Sequence, residues 1–138
     1  MTYHEEHEGH EGKNRMEFDP LSNRVIGCAI EVHRHLGPGL LESAYQECLA
    51  YELSHAGVSF QKEWPLPVRY KDVLIDCGYR VDILVDQSLI LELKSVDKLL
   101  PIHEAQILTY MKLASVKTGL LINFNVQRLT DGLKRMVL

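Results

Sequence analysis

From Leu21 the apolar positions Leu21, Val25, Ile26, Ala29, Ile30, His33 and Leu36 follow helical spacing, with Pro20 near the start and Gly37-Pro38-Gly39 as a stop. A second helix is predicted from about Leu40, carrying Leu41, Tyr45, Cys48, Leu49 and Leu53 on one stripe and ending at Gly57 after His55. Past Gly57 the pattern changes to β-favouring segments. Val58–Tyr70, Val73–Val85 and Leu89–Val96, parted by Lys71-Asp72 and Asp86-Gln87-Ser88, predict a three-stranded antiparallel meander. Pro65 and Pro67 each remove a backbone donor, which puts the first strand at a sheet edge or gives it a bulge. Helical spacing resumes over Ile102–Leu113 behind Pro101. Thr118–Phe124 and Leu133–Leu138 read as two further strands, so the order is that of an α/β sheet flanked by helices.

Residues 1–16 are rich in His, Glu and Gly and bear almost no large apolar side chains, the composition of a flexible tail ahead of one domain over 17–138. His4, His7 and His10 recur there every third residue, but with no supporting core they are assigned no function. The whole chain holds 15 Lys and Arg against 19 Asp and Glu. Four of those acids, Glu5, Glu6, Glu8 and Glu11, lie in the tail, which leaves residues 12–138 with 15 basic against 15 acidic residues, so the folded part is about neutral. Phosphate binding by bulk positive charge is thereby disfavoured, and a local patch or a bridging metal would have to supply it. Cys28, Cys48 and Cys77 lack C-x-x-C spacing, which argues against a disulfide framework or a thiolate zinc site and fits a reducing cytoplasm. The apolar runs are too short for a membrane span, and the acidic start does not resemble a secretory leader.

Chemistry concentrates in two predicted strands. In Leu89-Ile90-Leu91-Glu92-Leu93-Lys94-Ser95 the strand period puts Glu92 and Lys94 on one face and Leu91 and Leu93 on the other. Arg80-Val81-Asp82-Ile83-Leu84-Val85 likewise embeds a carboxylate among apolar residues. If Asp86-Gln87-Ser88 is a three-residue loop, Val85 faces Leu89, Leu84 faces Ile90, and Asp82 lies directly opposite Glu92 on the same side. A two-residue loop would turn Asp82 to the reverse face. In the first register Arg80 falls opposite Lys94, so two cations would stand near the acids and could compensate them without a metal. Two carboxylates and a backbone carbonyl are otherwise a ligand set for Mg²⁺, and Lys94 would orient water or stabilise charge on phosphorus.

Asp82 followed by Glu92-Leu93-Lys94 resembles the D…(D/E)-x-K core of the PD-(D/E)XK nuclease superfamily, whose restriction-endonuclease-like fold has the same order of elements. Upstream, Gly39-Leu40-Leu41-Glu42-Ser43-Ala44-Tyr45 is similar to the signature of the bacterial GxxExxY proteins, a small family placed in that superfamily. The resemblance spans about residues 20–138. It implies a nuclease that hydrolyses phosphodiester bonds of nucleic acid with Mg²⁺, or Mn²⁺, held by Asp82, Glu92 and the Leu93 carbonyl, with Lys94 positioning the attacking water. Glu42 read alone is a first-turn acid that complements the helix dipole by about 0.3–1 kcal/mol. The resemblance makes it a water-mediated metal contact. Gln106-Ile107-Leu108-Thr109-Tyr110 resembles the Q-x-x-x-Y element of RecB-like members, which makes Gln106 a partner of the water or of Lys94, and Tyr110 a phosphate contact or a packing residue.

His33 on the apolar stripe of the first helix is expected as a satisfied core histidine, and His103 is treated with the same caution. Val81 stands where the superfamily's name has proline, and no aromatic-and-basic stripe for single-stranded nucleic acid is visible. A non-catalytic module that keeps the fold and binds protein or nucleic acid is the alternative function. A homodimer is a candidate assembly, since a small core often needs a second subunit to span a duplex.

Overall fold

The computed structural model describes residues 18–138, so the tail histidines and the tail itself lie outside the described residues. Asp19 opens helix α1 (Pro20–Leu36): its Oδ2 accepts from the Ser22 amide at 2.9 Å and its Oδ1 from the Ser22 hydroxyl at 2.8 Å, while Pro20 fills the first helical position. The Gly37-Pro38-Gly39 corner needs left-handed φ values of 68° and 100° at its two glycines, and α2 (Glu42–His55) follows.

The strands are β1 (Phe60–Pro65), β2 (Val68–Tyr70), β3 (Val73–Ile75), β4 (Arg80–Val85), β5 (Leu89–Lys94), β6 (Thr118–Asn123) and β7 (Leu133–Val137). Helix α3 (Pro101–Ala114) joins β5 to β6, and a 3₁₀ turn at Leu129–Gly132 leads into β7. One sheet has the order β1-β4-β5-β6-β7, parallel only at β5–β6, where α3 supplies the crossover that a parallel pair requires. The expected mixed α/β sheet flanked by helices is what the chain forms.

Two of the expected strands are each divided. Val58–Tyr70 breaks at Leu66-Pro67, where Leu66 turns into the core and its amide donates to the Tyr79 carbonyl at 3.0 Å. Val73–Val85 breaks at Asp76-Cys77-Gly78, where Asp76 Oδ1 accepts from the Gly78 amide at 3.0 Å and Gly78 has φ 80°. The meander is therefore β1-β4-β5, and β2 and β3 form a separate two-stranded hairpin. Pro65 lies on edge strand β1, where a missing donor costs no ladder bond.

Side chains alternate across the sheet into two cores. Val25, Ala29, Tyr45, Leu49 and Leu53 from α1 and α2 pack on Ile83, Leu91, Leu93 and Leu120. On the other face Ile107 and Met111 of α3 pack on Leu84, Ile90, Leu121 and Met136. Three positions expected on the apolar stripes, Ile30, Leu36 and above all Leu41, are exposed instead, while Val32 is buried. Leu41 precedes the first turn of α2 in extended backbone, so helical periodicity does not govern it. Among the described residues the three cysteines are free, and no helix is long and apolar enough to cross a membrane.

Candidate active site at the end of the β4–β5 ladder

The three-residue loop forms as expected: Asp86 and Gln87 take positive φ, the Ser88 amide donates to the Val85 carbonyl at 2.9 Å, and Val85 pairs with Leu89. The ladder runs through Leu84↔Ile90 to Ile83↔Leu91 and then stops. Beyond it carboxylates take over the amides: Asp82 N–H donates to Glu92 Oε2 at 3.1 Å and Leu93 N–H to Asp82 Oδ2 at 2.7 Å. Asp82 and Glu92 are thus each bonded to the other's strand where the ladder ends, Glu92 two residues beyond Ile90 on the α3 side of the sheet. A strand residue sends its N–H and C=O to the same edge, so the Leu93 carbonyl also faces β4 where the ladder has ended.

Burial governs the electrostatics. Asp82 is pushed up to about 6, first by burial, with the Leu93 amide and Lys94 opposing the rise and the carboxylates of Glu63 and Glu42 adding to it. Glu92, 5% exposed, is pushed up to about 8 by burial and then by the negative charge of Asp82. Lys94 is the cation that favours the ionised form of both acids. Arg80 does not take the compensating place that the register allowed it: it is exposed, and its Nη1 donates to the Tyr79 carbonyl at 2.9 Å.

Lys94 Nζ donates to Gln106 Oε1 at 3.3 Å, and Gln106 Nε2 donates to the Tyr110 hydroxyl at 3.2 Å. The four-residue spacing on α3 thus forms a polar chain ending at Lys94. Burial raises the pKa of the Tyr110 phenol, and Glu92 raises it further.

The opposite rim is the Gly-Pro-Gly corner. Tyr45, fully buried and stacked on Phe124 at 4.4 Å, donates from its hydroxyl to the Gly37 carbonyl at 2.6 Å and accepts from the Leu40 amide at 3.1 Å. Glu42 Oε2 accepts from the Ser95 amide at 3.3 Å, and Ser95 Oγ donates to the Leu40 carbonyl at 2.6 Å. Tyr45 therefore fixes the corner, and the corner grips the residue after Lys94.

Two residues at this site escaped the sequence reading. Glu63 lies across from Asp82 in the β1–β4 register, adopts φ 51° within a strand, and accepts from Gln46 Nε2 at 2.8 Å. Asn123, 1% exposed at the end of β6, accepts from the Val96 amide at 3.0 Å and donates to the Val96 carbonyl at 2.9 Å. A polar residue closing an apolar parallel strand was the available signal for Asn123; nothing local marks Glu63. Neither histidine joins the site. His33 Nε2 meets the Val126 carbonyl at 2.8 Å in the core, and His103 Nδ1 accepts from the Leu100 amide at 2.9 Å at the start of α3.

Among the described residues no group of three or more His, Cys, Asp or Glu side chains is arranged to hold a metal, so any ion here would rest on two carboxylates, a carbonyl and water. The family model of the PD-(D/E)XK nuclease superfamily matches residues 19–136. No curated protein and no solved structure matches the chain.

Proposed function

The chain belongs to the PD-(D/E)XK nuclease superfamily, and from that premise we propose that it is a metal-dependent nuclease hydrolysing phosphodiester bonds of nucleic acid. The facing of Asp82 and Glu92 carries this reading. Two carboxylates held together in a buried place are costly unless a cation joins them. Among the described residues Asp82 Oδ1 and Glu92 Oε1 accept no hydrogen bond, and with the Leu93 carbonyl they make a hard, all-oxygen donor set. That chemistry fits Mg²⁺ or Mn²⁺ and disfavours thiophilic metals. When bound, such an ion supplies Lewis-acid polarisation of a phosphoryl oxygen and a lowered pKa for water.

The remaining roles belong to the chain's own groups. Lys94 spends one N–H on a long bond to Gln106, which leaves donors to orient the attacking water and to stabilise charge growing on the phosphoryl oxygens. Gln106 aims the ammonium, and Tyr110 holds Gln106. Glu42 acts from the rim, through the Ser95 backbone and ordered water. In the reaction the water oxygen forms a bond to phosphorus and gives up a proton to solvent, the ester P–O bond breaks, and the leaving oxygen takes a proton from solvent. Gly39, Glu42 and Tyr45 support placement within the GxxExxY group, and free cysteines fit a reducing cytoplasm.

Single-stranded, duplex and branched DNA and RNA, each with Mg²⁺, Mn²⁺ or chelator, test the reading. The wild type is expected to cut at least one of them with metal only, while folded Asp82→Asn and Lys94→Ala are inactive. Identical behaviour of all three proteins would overturn it in favour of a non-catalytic binding module.

A further inference from the structure

Beside the polar chain of α3 a groove of about 380 Å³ runs between that helix and the β2–β3 hairpin. Its walls include Val68, Tyr79, Ile102, Gln106, Thr109 and Tyr110. Gln106 and Tyr110 are the residues that lead to Lys94, so groove and candidate site are continuous. Tyr79 meets Tyr110 ring to ring at 5.9 Å and 53°. Tyr110 is buried, whereas Tyr79 remains 45% exposed and Ile102, on the α3 side, 67% exposed. A cleft lined mainly by apolar and aromatic side chains with a few polar groups is the kind of surface that takes a ligand. Arg80, the next residue in the chain, is exposed, and its guanidinium donates to the Tyr79 carbonyl.

We infer that this groove takes an unstacked nucleobase of the strand being cut, with Tyr79 as the stacking platform, Ile102 closing over the base, and Arg80 meeting an adjoining phosphate. The inference rests on the nuclease reading and narrows its substrate to strands with an unpaired base near the scissile bond. A base inside a duplex offers only its edges in the grooves, and an aromatic platform needs its face. The polar groups present, the Gln106 amide and the Thr109 and Tyr110 hydroxyls, can meet the edges of any base, so little sequence preference is expected. The aromatic surface that the sequence did not display arises because the loop before β4 and the middle of α3 converge.

The test uses the whole chain with Ca²⁺ in place of Mg²⁺ and single-stranded DNA and RNA oligonucleotides carrying one 2-aminopurine, alongside an abasic counterpart and a blunt duplex. The wild type should bind the single strand in preference to the duplex and quench the 2-aminopurine. Tyr79→Ala should lose the quench and weaken single-strand binding by about 5- to 100-fold, while Tyr79→Phe keeps both. An abasic nucleotide at the seat should weaken the wild type and leave Tyr79→Ala unaffected. Metal-dependent cleavage accompanied by binding that ignores Tyr79 would overturn the groove and leave the nuclease reading standing. Tyr79-dependent binding and quenching in Ca²⁺, with no strand cut when Mg²⁺ or Mn²⁺ replaces it, would keep the groove as a base seat and remove the nuclease reading and with it the claim that the strand is cut.

Discussion

Glu92 Oε2 accepts the Asp82 amide proton at 3.1 Å, so one acid of the pair is bonded to the backbone of the other at the place where the strands part. Holding both side chains here raises both carboxyls, Asp82 to about 6 and Glu92 to about 8, mainly through burial. Between the unfolded and folded values the native state binds more protons than the unfolded chain, so this contribution to stability is complete at low pH and is lost as pH rises. In chelator the thermal midpoint is expected to fall between pH 5 and pH 8, and Glu92→Gln is expected to flatten that fall. Parallel losses in the two proteins would show that the pair is not its source.

Metal binding has the opposite pH dependence, because only the ionised acids are ligands. At pH 8, Mg²⁺ at a hundred times its dissociation constant is expected to add about 2.7 kcal/mol of stability. At pH 5 the same concentration should add much less, and Asp82→Asn should abolish the increment at either pH. Thermal melts across a Mg²⁺ titration read this directly. An undiminished shift in Asp82→Asn would place the ion elsewhere.

The facing of Asp82 and Glu92 was legible only on the condition that Asp86-Gln87-Ser88 is a three-residue loop, because a two-residue loop would turn Asp82 to the other face; the pairs Val85↔Leu89 to Ile83↔Leu91 have the three-residue register. The β2–β3 hairpin was not, since Val68, Tyr70, Val73 and Ile75 favour strand whichever sheet they join, and here they leave the main one. Glu63 was invisible for a different reason: its position depends on pairing between β1 and β4 and on a left-handed backbone that no residue type announces. Gln106 and Tyr110 could be placed on one helical face, but that this face meets Lys94 follows only from the packing of α3 on the sheet.

Tyr45 has a duty that its ring alone cannot perform. Its hydroxyl bridges Gly37 and Leu40 across the corner, and removing it leaves both backbone groups without that partner while the stack on Phe124 persists. Tyr45→Phe is expected to cost about 1–3 kcal/mol. Urea unfolding measures the loss, and a cost below a few tenths would mean that water replaces the hydroxyl.

Gly132 meets the site through Asn123. A Cβ at this position would run into the Asn123 carbonyl, and Asn123 holds Val96, two residues beyond Lys94. Gly132→Ala should therefore destabilise by about 1–3 kcal/mol, as crowded substitutions do. Faster amide exchange at Val96 is expected with it, and exchange changed only in the 3₁₀ turn would show that the strain stays local.

Gln106 separates placement of the ammonium from its presence. Gln106→Ala keeps the Lys94 charge and removes the acceptor at 3.3 Å, so the ammonium loses the group that aims it. If Lys94 acts on the transition state, kcat should fall by about 10- to 1,000-fold with KM little changed, the pattern of an interaction made chiefly there. Lys94→Ala should be at least as severe. Gln106→Glu restores an acceptor for Lys94 but sets a further negative charge beside two crowded acids, whose carboxyls then rise again. Its pH–rate profile should move to higher pH than that of the wild type. A profile that stays in place with full activity would assign Gln106 to the helix surface alone and leave Lys94 to act without it.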